Sequence, residues 1–326
     1  MLASFQSASQ KFRPAQSKKH LYMSNPFTHP SGEKLLDVVK KIYSSPNIFE
    51  RKDRHIIFVC GGSMTKHSRS MRKRFLRYSN VLLTDYRFFL AESATQDFIK
   101  HNDPEFINIA DFESIIADIA DCILLFPESP GSIAEAGYFS NSSQAIKKLL
   151  IANDSNKQDD SFINIGIVEK ANRLSNFRSV IIIDYNHPDF SPIGNRLTKR
   201  LPSKKSKNIN PLLFQKLSYK EKLYIIYETI SIFIIITFDT LVYCIEYFFG
   251  KSEIKILKQL TSILIAANYI TRIGENLDHF CISSSVNSFL DFRGVDLQRL
   301  RAKIINFYKT NHTGTFELIQ EVSHDY

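Results

Sequence analysis

Short apolar runs alternate with helical patterns through the first two thirds of the chain. Four runs rich in Ile, Leu and Val are typical of buried strands, namely residues 55–60, 121–126, 148–152 and 179–183. Apolar residues at helical spacing predict helices at residues 68–78, 109–120 and 132–141, and residues 80–84 are a further strand candidate. Strands that alternate with helices predict an α/β domain with a doubly wound, mainly parallel sheet.

The pattern changes near residue 201, and the chain is expected to have four parts. These parts are a basic N-terminal arm with a short helix at residues 1–50, the α/β domain at 51–201, a linker at 202–218 and a second domain at 219–326. The polar stretch at 186–210 also has the composition of a connecting segment. The second domain has helix candidates at 220–249, 252–267 and 296–308, with a predicted hairpin at 269–282. Helices followed by a hairpin and another helix resemble a mostly helical winged helix-turn-helix domain.

The most informative segment is FPESPGSIAEAGYFSN at residues 126–141. Ligands of parallel sheets bind at the carboxyl ends of the strands, and here a Pro/Gly loop leads from a strand into a helix predicted to begin near Ser132. Glu135 would lie in the first turn of that helix. Ser132 and Glu135 also have the spacing of a capping box, in which the glutamate bonds back to the N–H of the serine. The segment therefore predicts either a ligand-facing carboxylate or a structural cap.

This segment also carries a resemblance to a known family. GSIAEAGY at 131–138 resembles the G-[TS]-x-x-E-x-G signature of nucleoside 2-deoxyribosyltransferases. Further segments resemble the deoxyribosyltransferase-like effectors of bacterial retrons, namely FVCGG at 58–62, ILLFPESPGS at 123–132, SFINIG at 161–166 and LQRLRAKIINF at 297–307. The resemblance implies a nucleoside deoxyribosyltransferase-like domain followed by a winged-helix domain, with Glu135 as the nucleophile that attacks C1′ of a nucleoside.

The resemblance also implies an activity and partners. The activity is that of an antiphage toxin, an N-glycosidase that cleaves the nicotinamide–ribose bond of NAD, so NAD is a substrate and no cofactor or metal is expected. The partners are a retron reverse transcriptase and its RNA-linked multicopy single-stranded DNA, in a higher-order assembly. Deoxyribosyltransferases place a tyrosine near the end of their first strand, but IFVCGG at 57–62 has none. Hydrolysis, or transfer to another acceptor, is therefore favoured over base exchange.

Substrate contacts are expected around the two strand ends and along the following helix. The candidate residues are Gly61, Gly62, Phe126, Glu128, Ser129, Gly131, Ser132 and Asn141. Glu128 stands where the family places an acid that binds the sugar or base, although a solvated loop carboxylate would give the same pattern. Gly61 and Gly62 would admit phosphates or ribose, or would only end the strand. Asn141 would bind the sugar, across a subunit boundary, or cap its helix.

The distribution of charge favours a polyanionic partner. The chain has a net charge of +9, and two runs without acids lie at residues 63–77 and 199–216. The side chains expected to contact nucleic-acid phosphates are those of Lys66, Arg69, Arg72, Lys73, Arg74, Lys204, Lys205 and Lys207. Basic runs are also common on ordinary solvated faces.

Cysteine spacing and hydropathy indicate a cytoplasmic protein. Cys60, Cys122, Cys244 and Cys281 lie far apart, which argues against a zinc knuckle or a disulfide scaffold and suits a reducing compartment. Residues 223–249 are dense in Ile, Phe and Tyr, but three carboxylates interrupt them. This segment is expected to form a buried helix or helix pair and not a membrane span.

Two other functions fit the same sequence. In the first, the α/β domain binds a nucleotide without turnover and Glu135 only caps its helix. In the second, the protein is a winged-helix DNA-binding regulator that contacts phosphates through Lys251, Lys255, Lys258 and Arg272.

Overall fold

The structure is a computed structural model, which describes residues 25–51, 55–90, 92–93, 109–201, 207–283 and 288–324. The described strands are β1 (Ile48–Glu50), β2 (Ile56–Cys60), β3 (Arg87–Phe89), β4 (Cys122–Leu125), β5 (Leu149–Asp154), β6 (Val180–Ile183), β7 (Ile235–Thr237), β8 (Ile270–Ile273), β9 (His279–Ile282) and β10 (Leu290–Phe292). The described α-helices are α1 (Pro30–Tyr43), α2 (Met71–Leu82), α3 (Ile109–Ile119), α4 (Pro130–Asn141), α5 (Ala145–Lys148), α6 (Glu169–Leu174), α7 (Ser191–Arg200), α8 (Tyr219–Phe233), α9 (Phe238–Phe249), α10 (Ile254–Ala266), α11 (Leu297–Asn311) and α12 (Thr313–His324).

A parallel sheet of five strands forms the centre of the first half of the chain. Its strand order is β3-β2-β4-β5-β6, and every pairing within it is parallel. Alternate residues of the inner strands β2, β4 and β5 enter two separate cores, as Ile57 and Leu124 do on one face and Phe58 and Leu125 on the other. Strands buried on both faces need apolar side chains at every position, which explains the continuous apolar runs. The predicted mixed α/β architecture with a parallel sheet is confirmed.

Four predicted strands are confirmed, but the fifth candidate was wrong. Residues 80–84 are not a strand, because α2 continues to Leu82, and the edge strand is β3 instead. Ser70 caps α2, and the helix buries Met71 and Phe75 on one face. Val81 and Leu82 at its end are 74% and 63% exposed, so the apolar pattern there did not mark a buried strand. The polar stretch at 186–210 is likewise not a plain connection, since it contains α7 with Ile193 buried.

The second half of the chain combines helices with a three-stranded antiparallel sheet. The strand order is β7-β9-β8, and β8 and β9 form the predicted hairpin. The apolar residues 223–249 form the helices α8 and α9, with β7 between them, as a helix pair was expected to do. None of the helices in the described ranges has the length and apolar character required to cross a membrane.

The described part of the N-terminal region packs onto the second half of the chain. Strand β1 pairs with β10 in an antiparallel sheet, and the ring of Phe27 lies 4.9 Å from that of Phe233 and 5.2 Å from that of Phe307. Residues 1–24, which hold most of the expected basic arm, lie outside the described residues.

The two halves meet where α3 ends and α8 begins. The Asp118 carboxylate accepts a hydrogen bond of 3.2 Å from the N–H of Tyr219, and Lys220 pairs with Asp121. The α/β half therefore supplies carboxylates to the N-terminus of the first helix of the second half, where negative charge is stabilised.

Candidate active site

Glu135 lies on the helix that begins just beyond the carboxyl end of β4. Helix α4 starts at Pro130, and its cap is Ser129, which accepts a hydrogen bond of 3.2 Å from the N–H of Ser132. The reciprocal bond of 2.9 Å runs from the N–H of Ser129 to the hydroxyl of Ser132. The expected capping box of Ser132 with Glu135 was therefore wrong by three residues. Glu135 is not needed as a cap, because two serines already fill that role.

The Glu135 carboxylate points toward the end of β2. The thiol of Cys60, the last residue of that strand, hydrogen-bonds the carboxylate, and Cys60 and Ala136 lie in one buried cluster. Burial raises the pKa of the Cys60 thiol, so the thiol stays protonated and can donate. The other carboxylate oxygen, Oε2, is buried and has no hydrogen-bond partner among the residues that the structure describes. An unpartnered buried oxygen is uncommon, because it loses its hydration without compensation.

The electrostatic surroundings of Glu135 shift its ionisation toward neutral pH. The pKa of its carboxyl is raised to about 7, first by burial and then by the negative charge of Glu113. Arg72 lowers the pKa and Glu92 raises it again. Burial, and then Glu92, also raise the pKa of Glu113, which lies 8% exposed on α3. Perturbed carboxyls of this kind cluster at functional sites, where the ionisation has to match a chemical task.

Arg72 supplies the positive charge of this cluster. Its side chain is 3% exposed, and its two terminal nitrogens donate to the two oxygens of Glu92 at 2.9 and 2.8 Å. A bidentate pair of this kind fixes the orientation of both groups. Three carboxylates, one guanidinium and one thiol thus share the edge of the sheet at which ligands of α/β proteins bind.

Glu128 has a different task from the expected one. Its Oε1 accepts hydrogen bonds from the N–H groups of Gly62 at 2.8 Å and Arg72 at 3.1 Å, and its Oε2 accepts one of 2.6 Å from Met71. The carboxylate therefore anchors the start of α2 to the loop after β4. The three backbone donors give Glu128 a structural role, and its contact with a sugar or base stays a prediction.

Gly61 and Gly62 leave room for this anchor. A Cβ at Gly61 would lie 2.7 Å from the Cβ of Arg72, and one at Gly62 would lie 3.1 Å from the Cδ of Glu128. Protein atoms fill the space that a side chain at either position would need, and the expectation that these glycines admit phosphates or ribose stays a prediction. The glycines serve close packing between β2, α2 and the β4 loop.

The remaining loop residues divide into buried and exposed ones. Phe126 is fully buried, with its ring 5.7 Å from Phe75, so its side chain is not available to a ligand. Ser129 and Ser132 are occupied by the capping box. Gly131 is exposed, with open space around its Cα. Asn141, exposed at the last position of α4, lies roughly 9 Å along the helix axis from Glu135, so one chain does not bring the two together.

Comparison with known proteins places the chain in a family. A family model described as STM3845 retron effector protein matches residues 68–272, more than half of the chain. The chain belongs to this family of retron effectors. The matched residues include Arg72, Glu113, Glu128 and Glu135, and they extend through α8, α9 and α10 into β8.

Two curated relatives from Escherichia coli share part of the sequence. The chain is 32% identical over 162 residues to "Retron Ec86 putative ribosyltransferase/DNA-binding protein", an alignment that covers 49% of this chain and 50% of the relative. It is 31% identical over 121 residues to the protein of the same name from retron Ec73, covering 36% of this chain and 38% of that relative. The chain thus spans about half the length, or less, of the curated relatives that it matches.

The basic run before and within α2 of the retron effector is partly built into the fold. Arg72 is buried against Glu92, so it does not reach a phosphate on the surface. Lys73 donates to the carbonyl oxygens of Thr65 and Lys66 at 2.7 and 2.9 Å, and Arg74 donates to that of Tyr185 at 3.0 Å. Lys66 and Arg69 are exposed and remain candidate nucleic-acid contacts.

The second basic run is described only in part. Lys204 and Lys205 lie outside the described residues. Lys207 is exposed but pairs with Glu221 at 2.6 Å, an acid that lies beyond the run in sequence. A run without acids in the sequence can therefore still have an acid beside it in the folded protein.

Three members of the site were missed by sequence reasoning. Cys60 had a signal, because it is the last residue of a buried strand directly before two glycines. Glu113 had a weaker one, since it lies beside Phe112 and Ile116 on the apolar face of a predicted helix. Glu92 had no signal in the sequence, because only the fold brings it to Arg72.

Proposed function

We propose that the retron effector is an N-glycosidase with Glu135 as its nucleophile, acting on the nicotinamide–ribose bond of NAD or on a related nucleotide. The observation that carries the proposal is the buried, unpartnered Oε2 of Glu135 at the carboxyl edge of the parallel sheet. The helix does not need this carboxylate as a cap, and burial makes its ionised form unfavourable in the folded protein. The names of the two relatives, which include ribosyltransferase, support a glycosyl-transfer activity.

The chemistry needs Glu135 in its ionised form. A carboxylate oxygen bonds to C1′ while the bond from C1′ to the nicotinamide nitrogen breaks, and the electron pair returns to the ring. Nicotinamide leaves as a neutral base from a cation, so this step needs no general acid. Water then attacks C1′ and releases Glu135, giving ADP-ribose, nicotinamide and one proton. A pKa of about 7 leaves a large ionised fraction at neutral pH.

Arg72 and Cys60 would hold the nucleophile ready. Both lower the pKa of Glu135, so they favour the ionised form that attacks. Arg72 is itself fixed by Glu92 on one side and by its position next to the Glu128 anchor on the other. The resulting site is prearranged, which is where electrostatic catalysis is most effective.

The test is the substitution Glu135→Gln in the full chain, assayed for nicotinamide release with and without the retron reverse transcriptase and RNA-linked DNA. Glutamine keeps the size of the side chain, so folding should persist while release falls by several orders of magnitude. Glu169→Gln is the matched control, because Glu169 is 54% exposed on α6, where it faces Arg173. A folded Glu135→Gln variant that still releases nicotinamide would refute the proposal. A wild-type chain that binds NAD without releasing nicotinamide would favour the nucleotide-sensing alternative.

A second proposed function, DNA binding, is supported by the topology of the second half. The element order α8-β7-α9-α10-β8-β9 and the strand order β7-β9-β8 support a winged helix-turn-helix, in which α10 would be the recognition helix and the β8–β9 hairpin the wing. Both relatives carry DNA-binding in their names. On this basis we propose an α/β catalytic domain and a winged-helix domain that joins the effector to its reverse transcriptase and RNA-linked DNA.

Burial limits how this domain would bind DNA. Residues 259–264 of α10 are all buried, and its exposed side chains lie in the first turn, among them Lys255. Recognition helices contact base edges with their N-terminal residues, which agrees with this placement. Replacing Lys251 and Lys255 by glutamine should weaken duplex binding and make it less dependent on salt. Unchanged salt dependence would exclude the start of α10 from the interface.

A further inference from the structure

A cationic cavity lies at the edge of the parallel sheet opposite Glu135. It has a volume of about 210 Å³ and lies where β4 and β5 begin, next to the end of α7. Its charged lining residues are Lys147, Lys148, Arg200, Lys220 and Asp121. Because a strand of four to six residues is roughly 13–20 Å long, this cavity and the Glu135 site are separated by about the length of the strands.

Further cations surround this cavity. Arg196 on α7 donates 2.9 Å to the carbonyl oxygen of Phe177, a lining residue, and also bonds the carbonyl oxygen of Arg178. Burial lowers the pKa of Arg196, and the positive charges of Arg200 and Arg178 lower it further. Arg200 and Arg178 are therefore close enough to repel Arg196, a cost that a bound anion would relieve.

The acids around the cavity are already engaged. Asp121 pairs with Lys220 and accepts a bond of 3.0 Å from the N–H of Ile56. Asp118 accepts the N–H of Tyr219, and its carbonyl oxygen accepts a bond of 2.8 Å from Lys148. Lys147 and Arg178, by contrast, are exposed at the rim. The positive charge of the cavity thus exceeds the charge of the acids that face it.

The rim of the cavity is held rigidly by the turn before β6. The N–H of Asn176 donates 3.0 Å to the carbonyl oxygen of Lys147, and the hydroxyl of Ser175 donates 2.6 Å to that of Leu149. Arg178 has a φ of 46°, a left-handed conformation that L-residues rarely adopt. Strained positions of this kind persist where surrounding contacts fix them, and they concentrate at functional sites.

We infer that this cavity and its rim, formed by Lys147, Arg178, Arg196 and Arg200, bind the phosphodiester backbone of a nucleic acid. A single phosphate needs two or three cationic donors, whereas cations from α5, the 175–178 turn and α7 extend beyond one cavity. A chain of phosphates matches that extent. Nucleic acid held there would leave the Glu135 edge of the sheet open. The inference does not depend on glycosidase activity.

The experiment compares two triple variants of the full chain. Lys147→Gln/Arg178→Gln/Arg200→Gln removes three charges from the cavity and its rim. The matched control, Lys34→Gln/Lys41→Gln/Lys309→Gln, removes three exposed charges from α1 and α11. Binding of a fluorescein-labelled 30-nucleotide single-stranded DNA is followed by anisotropy from 50 to 300 mM salt.

The first triple variant should reduce the slope of log affinity against log salt by about 2, since each phosphate contact on a single strand contributes about 0.7. The control should keep the wild-type slope, and nicotinamide release should be the same in all three proteins. Arg178→Gly serves as a second variant, because glycine accepts the positive φ and the fold is retained. It should reduce the slope by about 0.7.

Equal slopes for the first triple variant and the wild type would overturn the inference, as would an equal loss in both triple variants. A third outcome would also overturn it: inorganic pyrophosphate binds the wild type but not the first triple variant, while both proteins give the same salt slope for the oligonucleotide. That outcome would assign the cavity to a small anion. Loss of nicotinamide release in Glu135→Gln, with or without these results, bears only on the glycosidase proposal.

Discussion

Removing the charge of Glu135 should make the folded protein more stable, and the gain should depend on pH. The pKa of this carboxyl is raised from its ordinary value of 4.5 to about 7 in the folded protein. An acid whose folded pKa is raised binds its proton more tightly in the folded state, so stability falls as pH rises from about 4.5 to about 7. Each pH unit between these values costs about 1.4 kcal/mol, which gives roughly 3 kcal/mol above neutral pH.

Glu135→Gln removes this cost because glutamine does not ionise. At pH 8 the variant should exceed the wild type in free energy of unfolding by roughly 2–3 kcal/mol, after subtracting under ~1 kcal/mol for the lost helix-dipole interaction. At pH 5 the difference should fall below about 1 kcal/mol, since Glu135 is protonated in the folded protein and pH 5 lies only about half a unit above the ordinary pKa of 4.5. Urea denaturation of both proteins at the two pH values measures it.

Two results would refute this reasoning. A variant that is less stable than the wild type at pH 8 would mean that the ionised carboxylate contributes to the fold, as a cap or an ion-pair partner would. A stability difference independent of pH would mean that the pKa of Glu135 is ordinary. Either result would remove the argument that the fold tolerates an unfavourable carboxylate for the sake of chemistry. Glu169→Gln, on the exposed face of α6, should show neither the gain in stability at pH 8 nor its dependence on pH.

The other predictions concern the neighbours of Glu135 and the Glu128 anchor. Glu113→Gln should shift the rising limb of the pH–rate profile for nicotinamide release to lower pH, because a negative charge that raises the pKa of Glu135 is lost. Cys60→Ala should shift it to higher pH, and both shifts are read from initial rates between pH 5 and 9. Glu128→Ala should lower the free energy of unfolding by roughly 2–4 kcal/mol, because three backbone N–H groups lose their acceptor; equal urea midpoints would contradict this. Gly61→Ala should cost about 1–3 kcal/mol by the same measurement, since its Cβ would lie 2.7 Å from the Cβ of Arg72; no loss would show that α2 can move away.

The continuous apolar runs of β2, β4, β5 and β6 were enough to predict the central sheet. A strand that is buried on both faces, as β2 and β4 are, has apolar side chains at nearly every position, so its pattern survives in the sequence. The hairpin of β8 and β9 was predicted for a related reason, because a Gly274 turn separates two short runs. The edge strand β3 was missed, since it is short and follows a helix whose last residues are also apolar.

The position of Glu135 after a buried strand and a Pro/Gly loop could also be read from the sequence, and it predicts the ligand-binding edge of the sheet. The neighbours that share that edge depend on how the elements pack. Glu128 turned from the strand end toward the N–H groups of α2, while Glu113 and Cys60 came to face Glu135 from other elements. Packing also decides which charges of a basic run are neutralised, because Arg72 and Lys207 form ion pairs with acids that lie outside their own runs. Local patterns record which face of an element is buried, whereas pairings between distant side chains depend on how the elements pack.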